Sequence, residues 1–215
     1  MLIMNIDTRM IDFSRPQPSQ ARSQERVNIV LATAKDLLVE IGYEDMNIQK
    51  IAKRAEVTAP SIYRYFPNKR AIISTFADVF IEAQGKKIQH SLELSLRGTP
   101  WKEVISSLLL LLRTAMVKEP WICPAQLAIR SDRYLRDRHE MLLDHFAERF
   151  SLLLRSFGIQ LPDEKHFRVS RMLVLLFDSY MLAIGRSTTQ KHPQTQNDFE
   201  EVIFAFLKLY MKPQK

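Results

Sequence analysis

The chain has 215 residues, 46% of them apolar and 26% charged, with only 5 glycines, which excludes disordered and collagen-like chains and favours helices. Its longest apolar runs, Leu108 to Leu112 and Met172 to Phe177, fall far short of the roughly 18 to 20 residues that cross a bilayer, so no membrane partner is expected. A single cysteine, Cys123, excludes an intrachain disulfide and suits a reducing cytoplasm, and a net charge of +7 favours polyanionic partners.

Residues 1–20, with Pro16 and Pro18, are expected to form a loose arm; Asp7 and Arg9 interrupt the apolar MLIMNI too early for a secretory signal. Val27, Val30, Leu31, Ala34, Leu37, Leu38 and Ile41 repeat at helical spacing, predicting a helix over about 23–41 that Gly42 ends with a left-handed backbone. Asn47 caps a short helix carrying Ile48, Ile51, Ala52 and Ala55. After a break at Glu56 and Val57, Thr58 is expected to cap a helix from Ala59 to about Tyr65, with Pro60 tolerated in its first turn and Pro67 ending it. Asn68 then caps a longer helix, about 69–90. Further helices are expected near 101–118, 121–131, 133–157, 163–186 and 197–211, with no segment alternating as a strand does.

Two short helices joined by a tight turn, preceded by a longer supporting helix, are the parts of a helix-turn-helix. Ala52 and Ala55 leave room where the second helix crosses the first, and Val57 and Ile62 fill the corner. Small and polar residues, Ala59, Pro60, Ser61 and Arg64, then face outward as a major groove requires, with Tyr63, Tyr65 and Lys69 able to reach phosphates. Lys50 to Arg70 holds six basic residues against one acid, Glu56.

The stretch NIQKIAKRAEVTAPSIYRYFPNKRAII, residues 47–73, resembles the DNA-binding motif of the TetR family of bacterial transcriptional regulators. The resemblance covers about 50 to 60 residues and implies an all-α protein: an arm (1–20), a three-helix DNA-binding domain (21–68) and a larger helical ligand-binding and dimerisation domain (69–215) entered through the connecting helix 69–90. It implies DNA contacts from Gln49, Thr58, Ala59, Pro60, Ser61, Tyr63, Arg64, Tyr65 and Lys69, with Ser61 and Arg64 as base readers. The usual pattern has Gly before Val in the turn, where this chain has Glu56; a left-handed backbone there would cost on the order of 1 kcal/mol.

The last helix carries Phe199, Val202, Ile203, Phe206 and Tyr210 on one apolar face and Phe204, Ala205 and Leu209 on another, and the preceding helix is apolar all round at Met172 to Phe177. Two such helices need a second partner surface, which a second copy would supply. The expected homodimer interface is Met172, Leu176, Tyr180, Phe199, Val202, Ile203, Phe206 and Tyr210. The resemblance also implies a small-molecule pocket whose occupancy moves the connecting helix. Its candidate lining is Arg113, Trp121, Gln126, Arg130, His145, Phe146, Phe177 and Asp178. The expected function is a repressor released from a palindromic operator by a mostly apolar effector. The alternatives are a corepressor-dependent repressor or an activator, or a helical carrier or enzyme whose DNA motif no longer serves.

His139 and Glu140 begin something like a zinc-binding HExxH, but Leu143 stands where the second histidine belongs and His145 lies on another face. No metal, cofactor or catalytic arrangement is expected.

Overall fold

The computed structural model describes residues 21–186 and 194–211; the expected arm and Pro193 lie outside them. Among the described residues the chain forms nine α-helices and no strand. It divides into two compact units between Thr75 and Phe76.

The first unit contains α1 (Ala21–Asp45), α2 (Ile48–Arg54), α3 (Ala59–Tyr63) and the start of α4 (Lys69–Leu96). Its core is the apolar stripe of α1, with Val30, Ala34 and Leu38, closed by Met46, Ile51, Ile62 and Phe66. α1 runs past its expected end to Asp45, because the chain kinks at Gly42 (φ 75°) and resumes. That backbone is open to glycine at little cost.

The second unit contains the rest of α4 with α5 (Trp101–Lys118), α6 (Ile122–Ser131), α7 (Arg136–Ser156), α8 (Asp163–Arg186) and α9 (Thr195–Lys208). α8 touches α5, α6, α7 and α9 and packs most extensively on α7, which is what its all-round apolar segment demands. Leu173, Val174, Phe177 and Tyr180 of α8 are buried there with Leu108 and Leu109 of α5, Leu153 of α7 and Ile203 of α9.

Several helix ends differ from expectation for local reasons. α4 continues six residues beyond 90, until Gly98 (φ 90°) lets the Thr99 N–H reach back to the Leu94 carbonyl. α7 starts three residues late, since the Asp132 carboxylate accepts from the Tyr134 N–H and holds a turn. α9 starts two residues early and stops at Lys208, where the N–H groups of Leu209 and Tyr210 switch to carbonyls three residues back.

Candidate nucleic-acid interface and effector cavity

α2 and α3 are set by their caps and the turn between them. Asn47 Oδ1 accepts from the Lys50 N–H at 2.9 Å, opening α2. At the end of α2 the Val57 N–H returns to the Ala52 carbonyl at 3.0 Å, which wraps the chain through Glu56 at φ 54°. This is a helix ending that prefers glycine, and here a glutamate makes it.

Thr58 occupies the cap position of α3 with extended backbone, but its side chain accepts no bond from the helix. The expected hydroxyl cap is therefore absent, and the helix start is braced from the other direction, by Ser61 Oγ donating to the Thr58 carbonyl at 2.8 Å. α3 also ends at Tyr63 rather than Tyr65; Tyr65 and Phe66 follow as a turn whose N–H groups both return to the Ile62 carbonyl. Ile62 is fully buried and anchors the helix, so that Pro60, Tyr63 and Arg64 are exposed while Ala59, Ser61 and Tyr65 are half-buried. The Arg64 guanidinium lies 5.8 Å from the Tyr65 ring centre. Gln49 is exposed on α2.

The basic cluster is partly engaged within the unit. Arg54 makes a two-pronged ion pair with Glu40 of α1, which lowers the Glu40 pKa and raises that of Arg54, chiefly through the hydrogen bonds they share. Lys50 Nζ donates to the Asp45 carbonyl at 2.8 Å. Lys69 Nζ donates to the carbonyls of Tyr43 (2.7 Å) and Glu44 (3.1 Å) while lying 4.2 Å from the Tyr43 ring centre, so two of its three donors tie α4 to the end of α1. Sequence reasoning missed this clamp, whose partners lie 25 and 26 residues away.

The second unit holds an apolar cavity of about 50 Å³ among α4, α5, α6, α7 and α8. Of the residues expected there, Gln126, Phe146, Phe177 and Asp178 line it. Trp121 and Arg130 line a smaller adjoining space with His139, and Trp121 is tilted against Phe76 at 5.1 Å. Arg113 and His145 line neither: Arg113 donates to Gln196 of α9 at 3.3 Å, and His145 accepts from Arg149 Nε at 3.0 Å. Gln84 of α4, which sequence reasoning missed, lines the main cavity and is buried. Its signal was present: it is the one polar residue in the row Phe76, Phe80, Gln84, Ile88, spaced by four along α4.

Asp178 is held by Arg130, with His139 Nε2 3.9 Å away. Burial pushes the His139 pKa below its ordinary value, outweighing the pull of Asp178. Among the described residues no group of histidine, cysteine and carboxylate side chains could hold a metal, and no helix is long and apolar enough to cross a membrane.

Of the expected interface residues, Met172 and Val202 are exposed, and Leu176, Phe199, Phe206 and Tyr210 are half-buried. Tyr180 and Ile203 are fully buried within their own unit, Tyr180 stacked on Phe199 at 4.7 Å.

A trihelical unit with a short helix offered outward after a tight turn defines a helix-turn-helix protein. Residues 30–75 match the family described as bacterial regulatory proteins, tetR family. Over this segment the chain is similar to the TetR family. It is 27% identical over 88 residues to the tetracycline repressor protein class G of Vibrio anguillarum, covering 41% of this chain and 40% of that protein. It is 32% identical over 65 residues to the HTH-type transcriptional regulator EthR of Mycobacterium tuberculosis, covering 30% of each. The chain thus spans two fifths or less of the length of these relatives. A TetR-family transcriptional regulator from Streptomyces coelicolor shares the fold over 86% of this chain and 99% of its own, with TM-score 0.63 and 22% identity. FadR of Thermus thermophilus, a repressor solved with lauroyl-CoA, shares it over 87% and 96%, with TM-score 0.59 and 21% identity.

Proposed function

We propose that the protein is a homodimeric transcriptional regulator that binds a palindromic operator and leaves it when a mostly apolar small molecule enters the second unit. The observation that carries this reading is α3, a short helix anchored by Ile62 that offers Pro60, Tyr63 and Arg64 to solvent beside Gln49 of α2. In this reading Arg64 and Ser61 address base edges, Ala59 and Pro60 approach a thymine methyl, and Gln49, Thr58, Tyr63, Tyr65 and the remaining donor of Lys69 meet phosphates. The names of the similar proteins, a tetracycline repressor among them, support the same function.

The effector site is the cavity of the second unit, reached by residues of α4, the helix that begins in the DNA-binding unit. At about 50 Å³ it is roughly a third of the volume that takes a benzene ring, so a ligand must bind a widened state. A ligand that prefers the widened state shifts the population towards it, and repression is relieved if that state binds operator less well. Met172 and Val202 form part of the surface offered to the second copy. The site of action is the cytoplasm, where the chromosome lies.

The test is to mix the purified protein with sheared DNA from its source organism and sequence the retained fragments. Enrichment of a roughly palindromic site is expected; no enrichment after removal of carried-over ligand by unfolding and refolding would overturn the reading in favour of a carrier or enzyme.

A further inference from the structure

Besides Asp178, which Arg130 holds, the apolar cavity of the second unit is lined by two polar side chains. Gln84 and Gln126 are 3% and 8% exposed, and both line it. Neither Nε2 nor Oε1 of Gln84 has a hydrogen-bond partner, and Oε1 of Gln126 has none. Phe80, Phe146, Phe150 and Phe177 supply much of the remaining wall. A buried amide without partners is costly, whereas the same amide bonded to a ligand contributes both affinity and orientation.

The three unpartnered atoms are one donor and two acceptors. A molecule meeting them must donate to two carbonyl oxygens and accept from one NH₂. A carboxylate or phosphate has no proton to donate to those two oxygens. The one cation on the adjoining wall, Arg130, is already held by Asp178, so the pair brings no net charge. A cationic ligand finds no acid that Arg130 has not already neutralised along the cavity wall.

Resting on the regulator reading above, we propose that the cavity selects an uncharged, largely apolar or aromatic molecule bearing a primary amide or an equivalent donor and acceptor pair, and discriminates against carboxylates of the same shape. Gln84 is its principal specificity residue and Gln126 the second acceptor.

Benzamide, benzoate and toluene share a phenyl ring and differ in the group the glutamines would meet. Calorimetry of the full chain, refolded free of carried-over ligand, is to be run near neutral pH with each probe, and repeated with Gln84→Leu and Gln126→Leu; Gln84→Met and Gln126→Met serve if a leucine variant does not fold. Benzamide is expected to bind about tenfold or more tighter than benzoate, as two to three hydrogen bonds would give. Each variant should lose most of that preference while holding toluene at least as well as the parent. Benzoate binding as tightly as benzamide would overturn the proposal, as would variants that keep the full preference. So would failure of all three probes to bind the folded parent, which would leave internal water as the partner of the glutamines. These readouts do not involve DNA: amide selectivity without any enriched operator would sink the regulator reading alone, and an operator without amide selectivity would sink only the ligand class.

Discussion

Glu56 shows how one residue can carry a backbone strain that its neighbours compensate. Its φ of 54° closes the return bond from the Val57 N–H to the Ala52 carbonyl and so sets the turn between α2 and α3. Glycine adopts that conformation without the Cβ clash, so Glu56→Gly is expected to stabilise the protein by about 1 kcal/mol. Thermal unfolding should register this as a rise of about 2–4 °C, and an unchanged midpoint would mean the turn is unstrained. The histidines add a pH dependence. His139, His145 and His166 are each held below the ordinary value, burial being the largest cause, with Arg130, Arg149 and Arg155 respectively adding to it. For His139, Asp178 and Glu140 pull the other way and Arg171 adds to the depression; for His145 the opposing group is Glu148, and for His166 it is the Ile159 backbone and Asp163. A depressed histidine is neutral in the folded state while the unfolded chain takes up a proton below about pH 6.5. The stability it contributes is therefore present above that value and is lost as pH falls through the lower folded-state value. Melting temperature should drop between about pH 7 and pH 5, and His166→Asn or His139→Asn should flatten the slope.

At the scale of the element, α3 is only five residues long and owes its orientation to Ile62 and the bonds on either side of it. The exposed Arg64 and Tyr63 can be removed without disturbing that anchor. Arg64→Ala is expected to weaken operator binding by about 1–3 kcal/mol and relax selection at one base position, while Tyr63→Ala weakens it across sequences; both should unfold at the parent's temperature. Arg54→Ala makes the contrast. Its guanidinium already pairs with Glu40, so its loss should affect DNA much less than that of Arg64. A filter-binding series on the three variants would check the order, and equal losses would displace α3 as the reading helix.

At the scale of the molecule, α8 organises the second unit. Its apolar surface exceeds what one side of a helix can bury, and α5, α6, α7 and α9 all touch it. Even so, Met172 stays 51% exposed and Val202 of α9 stays 50% exposed. Replacing both with glutamate should turn the proposed dimer into a monomer in sedimentation velocity, because two like-charged pairs would be placed across a two-fold axis. The monomer should also lose cooperative occupation of a palindromic site. A double variant that sediments like the parent would place the interface elsewhere.

The local features were legible in the sequence because their causes lie within a few residues. Apolar spacing marked each helix, Asn47 and Asn68 capped where their side chains reach a backbone three residues on, and the break at Glu56 separated α2 from α3. The signature from Asn47 to Ile73 pointed to the same DNA-binding family whose model matches residues 30–75. The helix ends at Asp45, Leu96 and Arg136 were not legible, since they depend on a kink tolerated at Gly42, a wrap at Gly98 and a turn held by Asp132. Only the tertiary structure determined which charges are spent and which polar groups are enclosed. Glu40 meets Arg54 across 14 residues and Arg130 meets Asp178 across 48. Gln84 and Gln126 come to one cavity from helices that no pattern within either could relate. Periodicity says which side of a helix is buried; what it is buried against depends on how all the helices pack together.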